Sequence, residues 1–242
     1  MLSRYAGSVT GLAWTLLHPL AQLAIYAVVF TQIFRVGVPP AYPAVTYLTF
    51  VAIALWPWIM FSEALNQAMG SIAANAGLVR KVAFPHRLLV YSAVLSSCII
   101  HGLGFLAVLA VLAALGEPIH LLRLPLAALL LVPYMLLAAG IGAALAALHI
   151  LLRDVAHVVG VVLQMVFYAS PILYPTSLVP ASLRPWVEAN PLGWFSERLR
   201  EILLGGSGLV AGDAVAAVGC LLVFGAGLWF FQRLSPHFED FL

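Results

Sequence analysis

Long uncharged runs, separated by a few charged side chains, dominate the pattern along this chain. The runs are Tyr5–Phe34, Val36–Ser62, Leu88–Gly116, Leu124–Leu152, Val155–Leu183 and Ala214–Gln232. About 20 apolar residues, rising 1.5 Å each, cross a hydrocarbon core of ~30 Å, so each run predicts one spanning helix. The fold class expected is all-α: six transmembrane helices in a single transmembrane domain over residues 1–242. Span one is placed near Trp14–Phe34, span two at Tyr47–Leu65, span three at Val90–Leu115, span four at Pro125–Ile150 and span six at Gly212–Phe231.

The fifth run is different. Pro171, Pro175 and Pro180 break it late, and a short marked helix follows. Asn190 is an N-cap type, Pro191 suits the first helical position, and Gly205-Gly206 supplies a left-handed stop. Phe195, Leu199, Ile202 and Leu203 share one face; Glu197, Arg198, Arg200 and Glu201 share the other. A helix of about 14 residues reaches about 21 Å, short of a bilayer core, so it lies at the interface or dips in and returns. A broken span before a charged, non-spanning helix predicts a protein-lined wet cavity near one membrane surface. An interfacial anchor is the plainer alternative.

Between spans two and three the pattern changes again, to NQAMGSIAANAGLVRKVAFPHRLL. Arg80, Lys81 (the single lysine) and Arg87 make the densest basic cluster, which places this loop in the cytoplasm. It serves either as a positive-inside anchor or as a short helix offered to a partner. Six spans then put both termini on the cytoplasmic side, and Arg35, Arg123, Arg184, Arg198 and Arg200 on the other. Tyr26, Phe30 and Phe34 repeat every four residues on span one, as a packed or lipid-facing stripe or as a surface for passing sugar rings. Trp56-Pro57-Trp58 predicts a kink and a helix contact in span two, and Gly140 and Ala144 predict close helix approach.

Composition sharpens this picture. With 64% hydrophobic residues, 8% charged residues and a mean hydropathy of +1.07, a soluble domain is excluded. A net charge of +2 without a basic tail gives no nucleic-acid footprint. Cys98 and Cys220 read as packing residues. No phosphate loop of the form G-x-x-x-x-G-K-[ST] is present, nor G-x-S-x-G, nor H-E-x-x-H. His149, Arg153, Asp154 and His157 form a polar turn, the one place where a membrane enzyme would keep a catalytic pair. An ion-coupled carrier wants ionisable groups at mid-membrane, whereas Glu63 and Asp213 are expected near span ends.

Four stretches carry a resemblance to a known family: RYAGSVTGLAWTLLHPL, SIAANAGLVRKVAFPHRLL, RDVAHVVGVVLQMVFYASPILYP and NPLGWFSERLREILLGG. The chain resembles the permease subunit of type-2 ABC transporters, in the branch exporting O-antigen, capsule or teichoic-acid polysaccharide. The resemblance implies a multi-pass homodimer in the bacterial cytoplasmic membrane, with two copies of a separate ATPase subunit that bind ATP and Mg; this chain holds no cofactor. It implies a coupling helix in the basic loop, docking on the ATPase through Leu78, Val79, Arg80, Lys81, Phe84, Pro85 and Arg87. It implies two re-entrant helices between spans five and six, marked by Pro171, Pro175, Asn190, Pro191, Arg200 and Gly205. Its substrate would be a polyprenyl-diphosphate-linked glycan, passing Tyr26, Phe30, Phe167, Tyr168 and Tyr174. A shared-fold exporter of drugs or lipids is the alternative. The family's longer amphipathic segment ahead of Arg4-Tyr5 is nearly missing, which implies a reduced interfacial helix or a truncated start.

Overall fold

The computed structural model describes residues 11–82 and 84–241, so the expected interfacial segment at Arg4-Tyr5 lies outside the described residues. Every regular element among the described residues is helical. In chain order the α-helices are α1 (Gly11–Val28), α2 (Tyr47–Ala74), α3 (Ala76–Val79), α4 (Arg87–Ala114), α5 (Leu124–Leu151), α6 (Val155–Ala169), α7 (Arg184–Glu188), α8 (Pro191–Leu203), α9 (Ala211–Leu234) and α10 (Phe238–Phe241). Among the described residues, four segments suffice by length and composition to cross a membrane: Tyr47–Ala74, Arg87–Ala114, Leu121–Leu151 and Ala211–His237. They match expected spans two, three, four and six. At expected span one, α1 continues through a π-turn at Val29–Ile33, and at expected span five stands a shorter apolar helix, Val155–Ala169.

α2 is the central helix, packed on α1, α4, α5, α6 and α8. Thr46 caps it, its hydroxyl accepting from the Thr49 amide, and from Phe50 to Trp58 every side chain is buried. A helix apolar all round belongs in the middle of a bundle. Trp56 fills the expected helix contact, donating its indole N–H to the His101 carbonyl of α4 at 2.9 Å. α2 runs to Ala74, past the expected end at Leu65. Its polar residues satisfy themselves within the helix: Asn66 donates to the Ser62 carbonyl at 2.8 Å and Gln67 to Glu63 at 2.7 Å. Glu63 therefore stands inside α2, 11 residues before its end.

α5 and α9 meet backbone to backbone. A Cβ on Gly227 would land on the Gly140 carbonyl, and one on Gly140 would land on the backbone of Phe224. The close approach expected at Gly140 is thus made within the chain, to α9. On its other side α5 meets α2, where Gly142 lies against Ala68.

The hairpin of α7 and α8 packs at the first turn of α2, beside Tyr47 and Phe50. The basic loop follows the last turn of α2. Some 24 residues separate Phe50 from Ala74, roughly 36 Å along the axis, so hairpin and loop occupy opposite ends of the bundle.

Candidate functional site

The hairpin end is built on a helix that stops early. α6 has only 15 residues, because Pro171 bars its continuation and forces the preceding residue out of the helical region. Ser170 is extended (φ −96°, ψ 144°), and its hydroxyl donates back to the Val166 carbonyl at 2.7 Å. The turn beyond exposes backbone carbonyls that need donors once buried. Side chains from distant elements supply them. Arg200 donates to the carbonyls of Pro171 (2.7 Å), Ile172 (2.6 Å) and Phe50 (3.0 Å), and Tyr47 donates its hydroxyl to Leu173. The Arg200 guanidinium also lies 3.6 Å from the centre of the Phe50 ring.

α8 itself follows the sequence closely. Asn190 caps it, its side-chain oxygen accepting from the Leu192 amide at 3.0 Å, while its amide donates to the Ser170 hydroxyl at 2.8 Å. Pro191 opens the helix and Gly206 leaves it at φ +65°. Gly205 is needed for closeness, since a Cβ there would sit 2.9 Å from the Glu201 carbonyl.

The charged face of α8 is where expectation fails. The sequence pattern puts Arg198 and Arg200 on a polar face; in the fold both are buried, Arg200 at 0% exposure. Arg198 grips Asp213 at the start of α9 through two bonds (2.8 and 3.0 Å), donates to the Gly208 carbonyl at 2.7 Å, and pairs with Glu201. The hydrogen bond to Asp213 outweighs burial and raises its pKa. Arg200 pairs with Glu197 at 3.1 Å. Burial lowers the Arg200 guanidinium to about 10, with Glu197 opposing. Burial likewise holds the Glu197 carboxyl above the usual range, against the pull of Arg200. Tyr42 stands close by, its phenol pushed to about 12 by burial and by Glu197 and Glu201. No sequence pattern on α8 alone marks these arginines as buried; an arginine beside a proline-broken span is the one usable signal.

The five aromatic candidates come together. Tyr26 stacks on Phe167 (centroids 5.9 Å apart, 26° between planes) and meets Phe30 edge-on at 6.5 Å. Phe167 meets Tyr168 at 5.1 Å, and Tyr174 donates its hydroxyl to the Tyr168 carbonyl at 2.9 Å. Phe30 continues the row to Phe34 at 5.5 Å and stacks on Tyr47 at 5.9 Å. The helix widens into a π-turn over Val29–Ile33 beside these rings, a distortion often found at functional sites. Tyr168 and Tyr174 also line a cavity of about 620 Å³ together with Leu178, Trp186 and Asn190, beyond the early end of α6.

At the other end, α3 is a single turn. Val79 is buried and anchors it, while Leu78, Arg80, Lys81, Pro85 and Arg87 are exposed and Phe84 is partly covered. An unforeseen aromatic chain ties this loop to the C-terminal turn: Phe84 to His86 at 5.4 Å, His86 to Phe238 at 6.0 Å, and Phe238 to Phe231 at 5.3 Å. Arg153, Asp154 and His157 are exposed in the turn before α6. Among the described residues, no three His, Cys, Asp or Glu side chains gather as a metal site.

Residues 1–204 match the protein family described as ABC-2 type transporter, a region that runs from before α1 to the end of α8. The chain is 26% identical over 243 residues to the O-antigen export system permease protein RfbA of Klebsiella pneumoniae, covering 99% of this chain and 90% of that protein. It is 30% identical over 179 residues to the protein of the same name from Myxococcus xanthus, covering 73% and 65%. Over 200 residues it is 27% identical to the polysialic acid transport protein KpsM of Escherichia coli, covering 81% and 74%.

Proposed function

This chain belongs to the ABC-2 type transporter family, and from that premise we propose that it is the permease subunit of a polysaccharide exporter driven by a separate ATPase. The names of its O-antigen and polysialic acid relatives support a polysaccharide substrate. Within the molecule, the observation that carries the reading is the aromatic row. Tyr26, Phe30, Phe167, Tyr168 and Tyr174 line up from α1 across α6 into the cavity under the hairpin. Flat apolar faces with polar edges suit sugar rings, which are held weakly enough to move on.

The finer assignments follow from the same reading. Arg80, Lys81 and Arg87, with Leu78 and Pro85, present the loop to the ATPase from the cytoplasmic side, and Val79 fixes α3 to the bundle. The hairpin then faces outward. A second copy of the chain covers the exposed apolar faces of α1 and α6, where Ile25, Val28, Val158, Val161 and Met165 stand free. In that dimer α1 and α6 complete six membrane passes per chain, with both termini cytoplasmic. The substrate is a glycan on a polyprenyl diphosphate.

The test is depletion in the host, with lipid-linked glycan labelled separately on each face of the cytoplasmic membrane. Polymer trapped inside and lost from the surface is the expected result. Unchanged surface glycan overturns the polysaccharide assignment and favours a drug or lipid. Charge reversal at Arg80, Lys81 and Arg87 together is expected to abolish export while the chain still assembles, with ATP hydrolysis uncoupled from export. Wild-type export from that variant rules out the docking role.

A further inference from the structure

A second site lies away from the aromatic row, on the side of the bundle where α4 and α9 both rest on α5. α5 and α9 are held at backbone contact by Gly140 and Gly227, and α4 packs mainly on α2. A cleft is left between them. It holds two cavities, of about 430 and 330 Å³, that share Cys98, Gly102, Ala128 and Leu131. Met60 and Met135 line the larger one, and Phe224 forms its wall on α9. A Cβ built on Gly102 meets nothing within 4 Å, so the cleft is open there.

The α4 side of this cleft is one stripe. Tyr91, Leu95, Cys98, Gly102 and Leu106 recur at helical spacing, and Arg87 stands one turn before Tyr91 on the same face. From Tyr91 to Gly102 the stripe runs about 16 Å, the depth of one leaflet of a ~30 Å core. Arg87, outside both cavity linings but one turn above Tyr91, is exposed and makes no ion pair with any described residue. Arg80 and Lys81 add positive charge at the same end. An apolar cleft of leaflet depth below a cation that pairs with no described residue complements one chemistry: a hydrocarbon chain beneath an anionic headgroup.

We propose that this cleft is a binding site for one acyl chain of an anionic phospholipid, its phosphate held at Arg87. The leaflet that supplies the lipid rests on the orientation proposed above; the site itself does not. Met60, Met135 and Cys98 are set among Leu, Val and Ile in the walls, and the thioethers adapt readily to a flexible chain.

The test uses the full-length chain reconstituted in nanodiscs containing spin-labelled phosphatidylglycerol or spin-labelled phosphatidylcholine. The expected spectrum has an immobilised component of about one lipid per chain, with phosphatidylglycerol preferred. Gly102→Trp fills the open part of the cleft and is expected to remove that component. Arg87→Gln, a surface change that leaves packing intact, is expected to keep the component and reduce the preference about fivefold, the equivalent of ~1 kcal/mol per basic residue. Equal immobilisation of both lipids by the wild type and by Arg87→Gln overturns the proposal, leaving only non-selective boundary lipid. Displacement of the label by added polyprenyl diphosphate at lower concentration than by phosphatidylglycerol also overturns it and makes the cleft a substrate entry. A Cys98-to-Cys98 cross-link in a Cys220→Ala background overturns it in favour of a second copy. Because the nanodisc carries both leaflets and no glycan, none of these outcomes depends on the export assay.

Discussion

Pro57 and Pro171 each interrupt a long apolar run, yet the helix continues through the first and ends before the second. Proline removes one backbone donor and crowds the preceding turn in both places. Around Pro57 the neighbours hold the helix together: Trp56 and Trp58 are buried, and the Trp56 indole is fastened to α4. Around Pro171 the neighbours hold it apart. Ser170 is drawn outward by Asn190, and Arg200 and Tyr47 take up three successive carbonyls of the turn. Whether a proline bends a helix or ends it is decided by which side chains stand ready for the carbonyls it frees.

The largest effect should come from removing the donor at the broken site. Arg200→Leu leaves buried carbonyls bare and Glu197 without its partner, an expected loss of ~3–5 kcal/mol, seen as a lower unfolding temperature in detergent. Arg200→Lys should rescue only part of it, since one nitrogen cannot stand where Nε, Nη1 and Nη2 reach three separate carbonyls. Pro171→Ala sharpens the comparison. Combined with Arg200→Leu, it lets α6 extend and so should recover about 1 kcal/mol or more relative to additivity. Strict additivity would mean that the break and the arginine are independent. At the intact site, Trp56→Phe deletes a single hydrogen bond and should cost about 1 kcal/mol in the same melt.

The smallest effect is on pH. Burial raises the Glu197 carboxyl, so the folded chain binds this proton more tightly than the unfolded chain. Stability should therefore fall slightly as pH rises from the usual carboxylate value through the raised one. Glu197→Gln should flatten that slope; an identical slope in the variant would assign the titration elsewhere.

What the sequence disclosed was local. As caps of α8, Asn190, Pro191 and Gly206 act within a few residues of themselves, and the period of four in Tyr26, Phe30 and Phe34 is a property of one helix. Arg200 was legible as part of the hairpin but not as buried, because its partners lie 28, 29 and 150 residues away. Likewise, Asn66 and Gln67 looked like the end of a span, while in the fold they bond one turn back and α2 runs on. The tie between His86 and Phe238 joins two distant segments through a ring contact, and periodicity carries no trace of it.

The contact between Gly140 and Gly227 sets a limit on how this bundle can change shape. Two helices resting backbone on backbone have no rotamers between them to rearrange, so α5 and α9 must travel as a single block. The contacts of α1 and α6 with α2 run through rings instead, Phe30 on Tyr47 and Phe167 on Trp58, and flat rings can slide. Any widening of the molecule to admit a bulky polymer therefore begins at α1 and α6, with the glycine-locked pair serving as the chassis.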